Sequence, residues 1–115
     1  MNSDQSLWRH ALDAEDLPVG TIRRVDEIDA VVWRGKSGRV CAMASRCPHQ
    51  WAPLDIDGRV VGDTLVCIAH EWRFDQTGRG TKVNVNGRED RKGDIDVFEC
   101  NETDGVVWVK SSANQ

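Results

Sequence analysis

Two short pairs of residues in this chain could hold a metal. Cys47 and His49 stand in a C-x-H spacing, and Cys67 and His70 in a C-x-x-H spacing, with 17 residues between the pairs. Each short loop brings two donors to one point with little chain entropy to overcome. A centre held by two thiolates and two neutral imidazoles carries less negative charge than one held by four thiolates, so it accepts an electron more readily. On spacing alone an iron–sulfur cluster and a structural zinc ion stand level, because zinc takes the same donor types although C-x-H is a less usual spacing for it. Pro48 fixes its own φ and biases Cys47 toward extended backbone, so the first turn is partly set before any metal arrives.

Short β-type runs separated by turn signals must position these pairs. Val31-Val32-Trp33 and Val40-Cys41-Ala42-Met43-Ala44 flank Gly35-Lys36-Ser37-Gly38, which predicts a hairpin with a longer loop. Leu65-Val66-Cys67-Ile68 and Trp72-Arg73-Phe74 flank the second pair. Asn86-Gly87 suits a tight turn, since both positions tolerate positive φ. Ile95–Phe98 and Val106–Val109 bracket Asp104-Gly105, a further hairpin signal. The stretch from Asp55 to Asp63, with Gly58 and Gly62, can return the chain so that the two ligand loops meet. Only Asp13–Leu17 has any helical character, and a turn fits it better. Strands at this spacing predict an all-β domain, a small antiparallel sandwich or open barrel.

The residues around the ligands narrow the metal. Cys47-Pro48-His49, Ala52-Pro53-Leu54, the run from Cys67 to Asp75, and Gly78 together resemble the two ligand loops of Rieske proteins. The resemblance extends to Trp8, Asp16–Gly20, Gly38-Arg39-Val40 and Asp104–Val109, which covers most of the chain. It implies a Rieske-type iron–sulfur domain with two cluster-binding loops. It also implies a 2Fe–2S cluster, one per chain, with Cys47 and Cys67 on one iron and His49 and His70 on the other.

Three positions depart from the family pattern. Gln50-Trp51 stands where an Arg-Gly pair is common, and Glu71 where Gly usually follows the second His. A Glu resists backbone conformations open to Gly, so the second loop is expected to be shaped differently. Its carboxylate would also disfavour an added electron. In the high-potential Rieske proteins of respiratory cytochrome bc complexes, an extra disulfide joins the loops and Ser and Tyr hydroxyls bond the cluster. Here Trp51 and Ala69 replace those cysteines, and Trp72 and Phe74 replace the hydroxyl donors. The low-potential, oxygenase-associated branch is the closer likeness.

Composition excludes several other functions. A chain of 115 residues fits a single domain, with an ordered core expected over about residues 6–110 and loose polar ends at 1–6 and 111–115. A net charge of −4 argues against a nucleic-acid or anionic-membrane surface and is compatible with a basic partner. No run of apolar residues is long enough to span a membrane, and Met1–Ser6 lacks the features of an export signal. The expected location is the cytoplasm, where Cys41, Cys47, Cys67 and Cys100 stay reduced. Cys41 and Cys100 read as buried apolar thiols, and His10 as an ordinary strand residue. Trp8, Trp33 and Trp108 read as packing, whereas Trp51 and Trp72 could shield the cluster or present an apolar docking face. Gly78-Arg79-Gly80 reads as a turn.

The combined expectation is a soluble Rieske ferredoxin and not an enzyme. By resemblance it would take single electrons from a flavin-containing reductase and pass them to the terminal oxygenase of an aromatic-ring or related hydroxylating system. Oxygen activation needs a 2-His-1-carboxylate iron site, and only His10 is spare. The alternatives are a redox subunit of another complex, such as a nitrite reductase small subunit, and a zinc-braced binding module.

Overall fold

The computed structural model describes residues 8–48, 51–68, 71–84 and 86–110. Among these residues twelve strands run in the order β1 (Trp8–Asp13), β2 (Ile22–Val25), β3 (Ala30–Arg34), β4 (Val40–Ala44), β5 (Gly58–Val61), β6 (Thr64–Cys67), β7 (Trp72–Phe74), β8 (Gly80–Val83), β9 (Glu89–Lys92), β10 (Val97–Phe98), β11 (Cys100–Thr103) and β12 (Val106–Lys110). They form three antiparallel sheets, ordered β1-β12-β11, β10-β4-β3-β2 and β5-β6-β7-β8-β9. The all-β expectation holds.

The sheets stack as three layers, and the strand sequences show why. Residues of β3 and β4 alternate between two separate cores. Val31, Trp33, Cys41 and Met43 pack with Leu65, Cys67 and Phe74 of the five-stranded sheet. Ala30, Val32, Val40 and Ala42 pack with Val107 and Val109 of the three-stranded sheet. A strand buried on both faces has no solvent side to mark with polar residues, hence the unbroken apolar runs.

The hairpins divide by turn chemistry. Asp104 and Gly105 have φ of 52° and 79°, and Thr103 pairs with Val106, which makes the two-residue turn that Asp-Gly favours. Its first arm is β11, not Ile95–Phe98 as the apolar pattern suggested. Val97 and Phe98 instead pair with Met43 and Ala42 of β4. The polar β11 lacks the apolar alternation that marks a strand, and Cys100 begins it. Around Asn86-Gly87 the loop is longer than a tight turn: Val83 pairs with Glu89, and the Asn84 side chain accepts from the Asn86 and Arg88 backbones. The β3–β4 loop carries Gly38 at φ 90° and docks on the β5–β6 turn, where Lys36 N donates to Gly62 O at 2.9 Å and Ser37 N to Asp63 Oδ1 at 2.9 Å.

Among the described residues helical structure is scarce but falls in three places rather than one. Ala14–Asp16 and Asp26–Ile28 are single 3-10 turns, and Leu54–Asp57 is one α-helical turn after the first ligand loop. Pro53 at its N-cap and the buried Leu54 anchor that last turn.

Candidate metal centre

The first ligand loop leaves the central sheet at β4. Ser45 is buried and tied to Asp29, its N donating to Asp29 O at 3.2 Å and its Oγ to Asp29 Oδ1 at 2.7 Å. Cys47 N donates to Ala52 O at 2.9 Å, and Trp51 N donates back to Cys47 O at 2.7 Å. Arg46 holds the far side, donating to Trp51 O at 2.9 Å. The Cys47 side chain points into the core shared with Leu54 and Phe74.

The second loop leaves β6 at Cys67, which pairs with Gly58 on one side and Trp72 on the other. Ile68 N donates to Asp57 O at 2.8 Å, so the helical turn that ends the first loop also braces the second. Glu71 N donates to Cys67 O at 2.7 Å. Cys67 is buried in the same core as Cys47.

The two loops are therefore closed alike. In each, the residue four places after the cysteine bonds back to the cysteine carbonyl. That closing residue has positive φ in both, 63° at Trp51 and 58° at Glu71. Glu71 adopts the left-handed conformation despite its Cβ, at a cost on the order of 1–2 kcal/mol. Trp51 bears the same strain.

His49 and His70 lie outside the described residues, as do Gln50 and Ala69. Among the described residues no group of three or more His, Cys, Asp and Glu side chains is gathered to hold a metal ion. The described half of the predicted ligand set consists of two buried cysteines in one core, each at the base of a closed turn. Paired soft donors so placed fit a thiolate-bound iron–sulfur cluster.

Other sequence expectations sort by burial. Trp33 is fully buried, and its indole N–H has no acceptor among the described residues. Trp8 and Trp108 are half-buried, and Trp108 meets the His10 ring at 5.7 Å. His10 Nε2 lies 3.2 Å from Asp13 Oδ1 on β1, away from either ligand loop in the sheet order. Trp51 is 67% exposed, whereas Trp72 packs partly against the core and tilts over Phe74 at 6.5 Å. Burial pushes the Cys41 thiol up to about 11, and Cys100 is raised by the same cause while its Sγ lies 3.2 Å from Val40 O. Both fit the role of packing thiols. Gly78-Arg79 forms the predicted turn, closed by Gly78 N on Asp75 O at 2.9 Å, and Gly80 opens β8.

Some of the supports could not be read from the sequence. Asp29 holds Ser45 from 16 residues away, and Arg46 caps a carbonyl that only the folded loop presents. No local motif marks either residue.

Residues 7–99 match the Rieske [2Fe-2S] domain family. This chain belongs to that family. A 2Fe–2S cluster is accordingly its cofactor. Among curated relatives, cholesterol 7-desaturase of Bombyx mori is 28% identical over 104 residues, 89% of this chain and 23% of the relative. The oxygenase component of dicamba O-demethylase from Stenotrophomonas maltophilia is 31% identical over 110 residues, 91% of this chain and 31% of the relative. The chain thus spans less than a third of either. A chain in the solved complex of reduced oxygenase and oxidized ferredoxin in carbazole 1,9a-dioxygenase superposes with a TM-score of 0.75 at 27% identity. That match covers 92% of this chain and 94% of the other. No helix among the described residues is long and apolar enough to cross a membrane.

Proposed function

We propose that this chain is a Rieske ferredoxin, taking single electrons from a flavin-containing reductase and passing them to a terminal oxygenase. Cys47 and Cys67 would hold one iron and His49 and His70 the other. When bound, the cluster supplies reversible one-electron transfer. The chain's own part is to fix the thiolates: the core around Leu54 and Phe74 walls them off from water, and the two closing bonds hold each cysteine carbonyl. The observation that carries this reading is the matched pair of closed cysteine turns within a Rieske domain.

The ferredoxin form is supported by the likeness to a chain of similar length from an oxygenase–ferredoxin complex. The histidine count bears on these 115 residues alone. Of three histidines two belong to the ligand loops, and His10 is bonded to Asp13. One histidine cannot make the 2-His-1-carboxylate site at which oxygen is activated.

A second reading is favoured by the curated relatives, which are several times longer. In it the domain feeds electrons to a catalytic iron site elsewhere in one polypeptide. Both readings give these residues the carrying of electrons and not the oxygen chemistry. The visible and electron paramagnetic resonance spectra of purified protein test the shared part, and colourless protein holding zinc without sulfide would refute it. The endogenous protein's size separates the two: a band matching 115 residues fits the ferredoxin, and one several times larger fits the oxygenase.

A further inference from the structure

The outer face of the five-stranded sheet carries an unexplained trough of about 330 Å³ beside the second ligand loop, lined by Arg59, Val61, Val66, Ile68, Glu71 and Arg73. Its construction follows from register. Leu65, Cys67 and Phe74 point into the core, so by alternation Val66 and Arg73 point outward. Val66 pairs with Arg59 on one side and with Arg73 on the other, which places the three side chains in one row across β5, β6 and β7. Val66 is only 8% exposed although it faces outward, with an arginine beside it in the row on either side.

The charges in this row are unspent. Among the described residues neither Arg59 nor Arg73 forms an ion pair, unlike Arg24, Arg34 and Arg91. Arg73 Nε is buried without any acceptor among them. A buried guanidinium N–H left without a partner is costly, so an anion that reaches it is favoured. Among the described residues of the lining Glu71 is the one carboxylate against two guanidiniums, so the trough is locally positive in a chain of net charge −4. The rim is aliphatic and wet, with Val61 49% and Ile68 46% exposed. A small anion could pair with the arginines, but only a broader surface would cover both rim residues.

We propose that this trough docks the acidic, aliphatic surface of a protein that exchanges electrons with the cluster. The proposal rests on the electron-transfer reading above. Ile68 follows Cys67 directly, and Glu71 closes the same loop, so a partner seated in the trough touches the loop that carries a thiolate ligand. Carboxylates of the partner meet Arg59 and Arg73 while its apolar residues cover Val61 and Ile68. A contact of this size belongs with the small, transient interfaces of redox encounters, where charge sets the rate of association more than the affinity.

The test uses the cluster-loaded protein, reduced with dithionite and mixed in a stopped-flow instrument with ferricyanide or with the cation tris(phenanthroline)cobalt(III). At low ionic strength Arg59→Ser/Arg73→Ser should slow oxidation by ferricyanide about tenfold and speed oxidation by the cobalt cation. Arg59→Lys/Arg73→Lys should keep the wild-type rates. Arg9→Ser/Arg39→Ser removes the same charge from two exposed residues outside the trough and should leave both rates nearly unchanged. A peptide of alternating Glu and Leu should compete with ferricyanide on wild-type protein and not on the serine variant. Equal rates for wild type and the serine variant, with the cluster spectrum intact, would overturn the proposal. A ferricyanide effect without competition by the peptide would mark a small-anion site and overturn the assignment to a protein surface. Failure of the electron-transfer reading is distinguishable, because protein without a visible-absorbing cluster is identified before any rate is measured.

Discussion

The two ligand loops use one backbone device in different surroundings. Both end in a non-glycine residue with positive φ bonded to the carbonyl of its cysteine. The first loop is closed by Trp51, which lies beside Asp29, Asp94 and Asp96 in a small groove of about 150 Å³. The second is closed by Glu71, which lies beside Arg59 and Arg73. The difference teaches that loop shape here depends on the closing hydrogen bond and the core behind it, while the closing side chain is free to set local charge and contact. A left-handed non-glycine is tolerated twice because each turn is over-determined by its neighbours.

The most severe way to break the likeness is at the cysteines. Cys47→Ser and Cys67→Ser should each abolish the cluster spectrum, whereas Cys41→Ser and Cys100→Ser should retain it. Full absorbance in either of the first two variants would remove that residue from the ligand set. Next in size is the shared brace. A Cβ at Gly58 would collide with Leu54 O, between the helical turn and the partner of Cys67. Gly58→Ala should therefore cost about 1–3 kcal/mol of stability by denaturant unfolding, and an unchanged midpoint would show that the brace yields freely.

The closing residues give subtler contrasts. Trp51→Gly and Glu71→Gly should both relieve the left-handed strain, with net stabilisation below about 1 kcal/mol after the entropy that Gly restores to the unfolded chain. Their potentials should differ. The wild-type value is expected at the low end for Rieske centres, on the order of −150 mV. Glu71→Gly should raise it by tens of millivolts, on the order expected for one surface charge, and Trp51→Gly should leave it in place. Equal shifts in voltammetry would mean that the carboxylate is not felt.

The smallest effect concerns Cys41. Its thiol is raised to about 11 by burial, so the folded protein keeps the proton where the unfolded chain releases it near 9. The contribution to stability is full below about pH 9 and declines as pH rises toward 11. Iodoacetamide at pH 8 should leave Cys41 unmodified in folded protein and label it in denaturant. Rapid labelling of folded protein would show that Cys41 is reachable.

The strands that carry the site were legible because β3, β4 and β6 place apolar runs between turn residues, and the turn at Asp104-Gly105 was legible because that pair accepts positive φ at both positions. Illegible features were those that depend on distant partners. Polar β11 is a strand only because β12 lies beside it, and Leu54–Asp57 is too short for any helical period to show. The flanks of the two cysteines were readable as those of a Rieske domain. The similarity of their two turns showed only in the Gly that the family pattern places at both closing positions, since Trp51 and Glu71 do not themselves mark a left-handed conformation. The row that joins Arg59 to Arg73 was illegible because only strand register brings residues 14 apart in sequence together.

The pairing of Trp8 with Lys110 has a consequence for how such a unit is used. The first and last strands lie side by side in the layer across the central sheet from both cysteine turns. Polypeptide attached at either end would emerge from that layer, leaving the ligand turns on the opposite one. The architecture is therefore portable: it can be grafted beside other domains through two adjacent tethers while its electron-carrying side still faces outward.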